Sequence, residues 1–207
     1  MTVNGLFVLP DTAPGLGINF VARDVLDAVN VSDALRRMRR AGQDGGSHFN
    51  LGSTVEPQLQ LSVETGNGPT TVLDVKTLGG HYAHFNAYLH RDGLSGFGDF
   101  VSSIYRQARA VTLRSRQLPT LTGSTTNVEA SILDVMGDQG GDRGVYCINR
   151  CNSTTDSDYI TYVTVLVSLQ GGGRVRVYTD RTSSASVPWL DLNMSAPVPS
   201  TIPEFPY

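Results

Sequence analysis

The stretch Tyr159–Asp180, YITYVTVLVSLQGGGRVRVYTD, constrains the fold more than any other part of the chain. It reads as two β-strands joined by a turn of three glycines. Val163, Val165, Val167 and Leu169 alternate with Ile160, Tyr162, Thr164 and Leu166, so both faces of the first strand carry β-branched, aromatic or aliphatic side chains. Gly171, Gly172 and Gly173 can take the positive φ that a tight reversal needs. A strand apolar on both faces belongs inside a sheet, and on that reading Val165→Asp unfolds the protein.

A second hairpin is predicted from Pro57–Glu64 and Thr70–Leu78, joined by TGNGP. Leu59, Leu61, Val63 and Val72 share one face, and Gln58, Gln60 and Ser62 the other. One packed face and one wet face place this hairpin near an edge of the fold. HYAHFNAYLHR, residues 81–91, alternates again. Ala83, Phe85, Ala87 and Leu89 are expected to face in, with Tyr82, His84, Asn86, Tyr88 and His90 facing out. Shorter strands are expected at residues 5–9, around Val111 and Leu113, and at 128–135 and 145–148. Helical spacing predicts one helix from about Arg23 to Ala41, with Ser32 or Asp33 capping a shorter second half, and another over Phe97–Ala108.

Composition supports a β-rich reading. Lys76 is the only lysine beside fifteen arginines, and four glutamates stand beside fifteen aspartates. Lysine and glutamate are the usual cover of exposed helix faces, whereas aspartate serves turns and caps. The tail from Ser183 holds five prolines and cannot supply a central strand. The fold class expected is mainly β: an antiparallel β-sandwich or jelly-roll-like barrel with one or two inserted helices. Residues 1–182 form a single β-rich domain and 183–207 an extended C-terminal arm. No βαβ alternation argues for a doubly wound sheet.

The net charge of −3 gives no overall nucleic-acid footprint. The start of the chain lacks a basic segment followed by an apolar run, so no signal peptide is read there, and no apolar stretch is long enough to span a bilayer. The location expected is a virion assembled in the host cytoplasm, with no membrane insertion.

Arg36, Arg37, Arg39 and Arg40 are the densest charge in the chain and would suit a neighbouring subunit's carboxylates or, less well, nucleic-acid phosphates. A solvated helix end is the plainer alternative. His81, His84 and His90 with Asp92 have metal-binding chemistry. In a continuous strand, however, His84 and His90 stand roughly 20 Å apart, which one ion cannot bridge. Asp134, Asp138, Asp142, Asp156 and Asp158 flank Gly/Ser/Thr-rich loops, yet match no calcium-loop spacing. Cys147 and Cys151 would lie roughly 13 Å apart on a strand, too far for a disulfide without a turn at Asn149-Arg150. No G-x-S-x-G elbow, P-loop or dinucleotide fingerprint is present. No catalytic residue, metal ligand or cofactor is therefore assigned.

These observations favour a structural protein, a viral capsid or coat subunit that self-assembles into a multi-copy shell. Its partners are copies of itself and other shell proteins. Trp189, Leu190, Leu192, Ile202, Phe205 and Tyr207 make the arm too apolar to stay solvated, so it is expected to dock on a neighbour. The alternatives are a lectin-like β-sandwich that binds through the Asp loops, Tyr82, Tyr88 and Trp189, and a small metal-dependent enzyme built on His81, His84 and His90.

Overall fold

In the computed structural model, residues 1–6, 15–66, 69–78, 81–91, 101–117, 125–140, 148–149 and 161–196 are described. They form a β-rich fold of three sheets with four helices, and no closed barrel among the described residues. The chain divides into two compact units, Met1–Ile104 and Tyr105–Tyr207.

The first unit is organised by a four-stranded antiparallel sheet. Its strands are β1 (Thr2–Leu6), β4 (Gly46–Gly52), β5 (Gln60–Thr65) and β6 (Thr71–Asp74), in the order β1-β4-β5-β6. Two short strands, β2 (Leu16–Gly17) and β3 (Gln43–Asp44), pair in parallel at the ends of the helical segment. The register sorts side chains into rows across the sheet. Val3, Phe49, Val63 and Val72 form one row, and the next row is Asn4, His48, Glu64 and Thr71. Successive residues point to opposite faces, so an apolar row and a polar row back onto each other.

The apolar face is covered by α1 (Ile18–Leu26) and α2 (Val31–Met38). Val21, Val25, Ala34 and Met38 pack onto Phe49, Leu51, Leu61 and Val63, and all eight are buried. Burying each large side chain contributes about 1.5–3 kcal/mol, so this layer is the main stabiliser of the unit. The single helix expected over 23–41 is broken at Asp27–Asn30. Asn30 is the cap, its side chain accepting the Asp33 backbone N–H at 2.8 Å, while the Asp33 carboxylate accepts the Val29 N–H at 3.3 Å. That reciprocal cap makes two helices stabler than one bent rod, and Ser32 and Asp33 lie inside the second helix.

The second hairpin is present with the expected pairing, Val63 opposite Val72. The wet face is not. Ser62 and Glu64 are fully buried, because residues 81–91 lie over that side of the sheet. Those residues form no strand. Ala87 and Tyr88 are adjacent yet both buried, which an alternating strand with one covered face cannot achieve.

In the second unit, β7 (Thr164–Ser168) and β8 (Arg174–Tyr178) form the hairpin read from the sequence, with φ of 64°, 87° and 95° at Gly171, Gly172 and Gly173. Among the described residues the first strand does not take the interior position expected for it. The sheet order is β7-β8-β9, and Val165 is 47% exposed at its edge. The third strand, β9 (Leu190–Asn193), comes from the segment expected to be an extended arm docked on a neighbour. Alternation of Leu190 and Leu192 with Asp191 and Asn193 suits a strand, and Asp191 fixes it by a bidentate pair with Arg174, both contacts at 2.6 Å.

Two further expectations are corrected. The strand sought around Val111 lies inside α3 (Val101–Gln117), and that sought at 128–135 inside α4 (Thr125–Met136). β-branched residues suggested strands there, but Val128, Ile132 and Val135 also recur at helical spacing, and that period prevails. The strand expected over 145–148 falls mostly outside the described residues.

Candidate functional site

The polar row of the four-stranded sheet carries the densest cluster of titratable side chains among the described residues. β1 contributes Asn4, β4 His48, and β5 Ser62 and Glu64; residues 81–91 close over them with Tyr82, His84, Tyr88 and His90. The His84 ring lies flat on that of His48, with centroids 3.5 Å apart and planes within 4°. The side chains of His84 and Glu64 are both fully buried.

The hydrogen bonds define where the protons sit. The side-chain amide of Asn4 donates to the His84 carbonyl at 2.8 Å, and the same nitrogen faces His48 Nδ1 at 3.5 Å. His48 Nδ1 is thus an acceptor, and Nε2–H donates to Ser62 Oγ at 3.0 Å. His84 presents Nδ1 to the Phe85 carbonyl at 2.6 Å and Nε2 to Glu64 Oε1 at 2.8 Å. Both partners are acceptors, so this ring carries both protons and Glu64 is its counter-ion. Glu64 also accepts the backbone N–H groups of Leu89 at 2.7 Å and His90 at 3.1 Å. The Tyr82 hydroxyl meets His90 Nε2, and the Tyr88 hydroxyl donates to the Thr65 carbonyl at 3.0 Å.

The electrostatics follow from this geometry. Burial, reinforced by the neighbouring His84 and His90, pushes the His48 imidazole down to about 2, so it is neutral. Burial alone would raise Glu64, but the His84 bond and the two backbone N–H groups outweigh it and hold the carboxyl below its ordinary range. Burial raises the Tyr82 hydroxyl and lowers the His90 imidazole.

Ser62 and His48 superficially resemble a nucleophile and its base. The proton arrangement is the reverse of what nucleophilic catalysis needs: His48 donates to the serine instead of accepting from it. A ring held neutral so far below its usual range is also a poor base. The chemistry available is that of a buried electrostatic clasp, tying residues 81–91 to the sheet through one carboxylate.

The sequence candidates fall out differently. His84 and His90, placed far apart by a strand, have centroids 6.3 Å apart, yet their identified nitrogens face protein partners. Among the described residues no group of three or more His, Cys, Asp or Glu is placed to hold a metal ion. His81 is partly exposed, and Asp92, Cys147, Cys151, Asp142, Asp156 and Asp158 lie outside the described residues. Asp134 and Asp138 serve structure: Asp134 accepts the Ser184 N–H at 2.6 Å, and Asp138 pairs with Arg109 at 2.8 Å. Tyr88, expected on the outside, is 1% exposed and offers no stacking surface.

Arginines 36, 37 and 40 find their carboxylates within their own helical pair. Arg36 binds Asp33 at 2.6 Å, Arg37 binds Asp24 at 2.6 Å and Asp33 at 3.0 Å, and Arg40 binds Asp24 at 3.2 Å. Arg39 is exposed. Of the arm residues, Leu190 and Leu192 lie in β9, Trp189 donates its backbone N–H to the Val177 carbonyl at 2.8 Å, and Ile202, Phe205 and Tyr207 lie outside the described residues.

Asn4, His48, Ser62 and Glu64 were not singled out by sequence. Their signal was faint but present: Glu64 is one of only four glutamates, and it follows Val63 as His48 precedes Phe49 in strands otherwise free of charge. The chain matches no family model, no curated protein and no solved structure.

Proposed function

We propose that this protein is a structural subunit, a capsid or coat protein of the β-sandwich or jelly-roll kind, which self-assembles into a multi-copy shell. The observation that carries this reading is the edge of the β7-β8-β9 sheet. Among the described residues β7 pairs only with β8, and its sequence, Thr164-Val-Leu-Val-Ser168, contains no charge and no proline. Tyr162, Val163 and Val165 are 71%, 37% and 47% exposed along it. Edge strands of stand-alone proteins are ordinarily guarded by lysine, proline or a bulge. An unguarded edge suits addition of a strand from a second copy, in which main-chain hydrogen bonds provide attraction and the valines select register.

The buried clasp adds support from the other unit, because its functional groups are spent on each other and not turned toward a substrate. Light scattering coupled to size exclusion, with electron microscopy of the peak, tests the proposal. Wild type is expected as a discrete multi-copy species. Val165→Lys, which places a guard on the exposed edge, is expected to fold normally and run as a smaller species. A wild type that stays monomeric at all concentrations removes the proposal.

A further inference from the structure

We propose that Glu64 and the stacked His48–His84 pair form an acid-released latch, which holds residues 81–91 against the inner sheet at neutral pH and frees them when the pH falls. The latch turns on the buried Glu64 carboxylate. Glu64 takes three bonds from the segment, from His84 Nε2 and the backbone N–H groups of Leu89 and His90. Neutral bonds join the segment to the sheet beside it: the Tyr88 hydroxyl on the Thr65 carbonyl, the Asn4 amide on the His84 carbonyl and the Asn86 amide on the Gly5 carbonyl.

The stack admits only one charge. His84 already carries two protons, and a second cation 3.5 Å away on His48 would face it in parallel. His48 Nδ1 also faces the Asn4 amide donor, so a proton there would set two donors against each other. The closed state therefore refuses a proton that the open state accepts. The titratable groups around the stack come from every covering element: His48 from β4, Glu64 from β5, and Tyr82, His84, Tyr88, His90 and Arg91 from the segment. Burial lowers the His90 imidazole as well while closed, and its Nε2 faces the Tyr82 hydroxyl. Arg91 lies over the Tyr88 ring, 5.4 Å from its centroid, and adds a fixed positive charge to the same layer. Opening exposes His48 and His90 to water, so each gains a proton below about 6.5, and each proton steepens opening about tenfold per pH unit. The inference is independent of the coat reading, since it concerns the first unit alone.

Native-state hydrogen exchange of the full chain, read by mass spectrometry and corrected for intrinsic rates, tests it between pH 7.5 and 5.0. Peptides covering residues 81–91 are expected to lose protection up to about a hundredfold per pH unit below 6.5, while α1 and α2 peptides stay protected. In His48→Gln the slope falls to about tenfold per unit. Protection of residues 81–91 that is flat with pH, or lost in a single opening shared with α1 and α2, overturns the latch. Should His48→Gln not fold, the imidazole nitrogen spectrum of the wild type at pH 5.5 decides instead. A neutral Nε2–H His48 beside a doubly protonated His84 supports the latch, and a neutral His84 overturns it.

Discussion

The carbonyl oxygen of Thr182 occupies the space where a β-carbon on Gly137 would stand. Gly137 follows α4, and the chain leaving β8 crosses the end of that helix. Arg181 Nε donates to the Gly137 carbonyl at 2.8 Å, and the Thr182 hydroxyl donates to the Leu133 carbonyl at 2.9 Å. The crossing is backbone against backbone, so no rotamer change relieves an added methyl. Gly137→Ala is expected to destabilise the second unit by about 1–3 kcal/mol, the usual cost of overpacking. A urea midpoint equal to wild type would show that the crossing yields easily.

Replacing Glu64 by Gln keeps the shape of the clasp and removes its charge. His84 then keeps a buried positive charge without a counter-ion, or gives up a proton and accepts from the new amide, which turns that amide nitrogen onto the Leu89 backbone N–H. Breaking a buried pair from one side costs about 3–5 kcal/mol, and that loss is expected in chemical denaturation of the first unit. A change below about 1 kcal/mol would mean that water already reaches the carboxylate.

The same residues set the acid response of global stability. His48 is depressed in the folded state to about 2 from an ordinary 6.5, so the unfolded chain binds the extra proton between those values. Stability is therefore complete above about pH 6.5 and declines as the pH falls. The slope is about 1.4 kcal/mol per pH unit for one proton, or about 2 kcal/mol by pH 5. His90 adds a decline of the same sign, and depressed Glu64 adds its own below the ordinary carboxylate range. Urea titrations at several pH values check this, and a midpoint that rises on acidification would contradict it.

Ending the chain at Ser184 deletes β9 and leaves Arg174 and Arg176 without Asp191, which they contact at 2.6 and 3.5 Å. An arm docked on a neighbour would be dispensable for folding. With β9 in the sheet, the truncation instead leaves a two-stranded hairpin, which is marginal alone. Loss of a cooperative transition for the second unit is expected by calorimetry, and an unchanged melting profile would return β9 to the status of an arm.

Hairpins were legible in this sequence because their signals are local. Gly171–Gly173 marks the reversal directly, and the parity of Leu61, Val63 and Val72 fixes a face. What sequence could not supply was the partner of each face. Ser62 and Glu64 look wet because they are polar, and only the return of residues 81–91 across the sheet buries them. Val165 looks interior because it is apolar, and only the strand order leaves it exposed. The clasp joins Asn4, His48, Glu64 and His84 over separations of 80 residues, beyond any short motif.

The two larger sheets differ in how far apart their strands lie along the chain. β7, β8 and β9 follow one another as a meander, with Met194 N–H donating to the Gly173 carbonyl at 3.0 Å to close the third strand onto the turn. β1, by contrast, pairs with β4 across the whole helical segment, Thr2 opposite Asn50. During synthesis β1 emerges before its partner exists and must wait, unpaired, for both helices and β4 to follow. The later sheet needs no such delay, since each of its strands can pair as soon as it is made. The first unit is thus the slower to assemble, and its earliest strand is the one most open to going astray in a nascent chain.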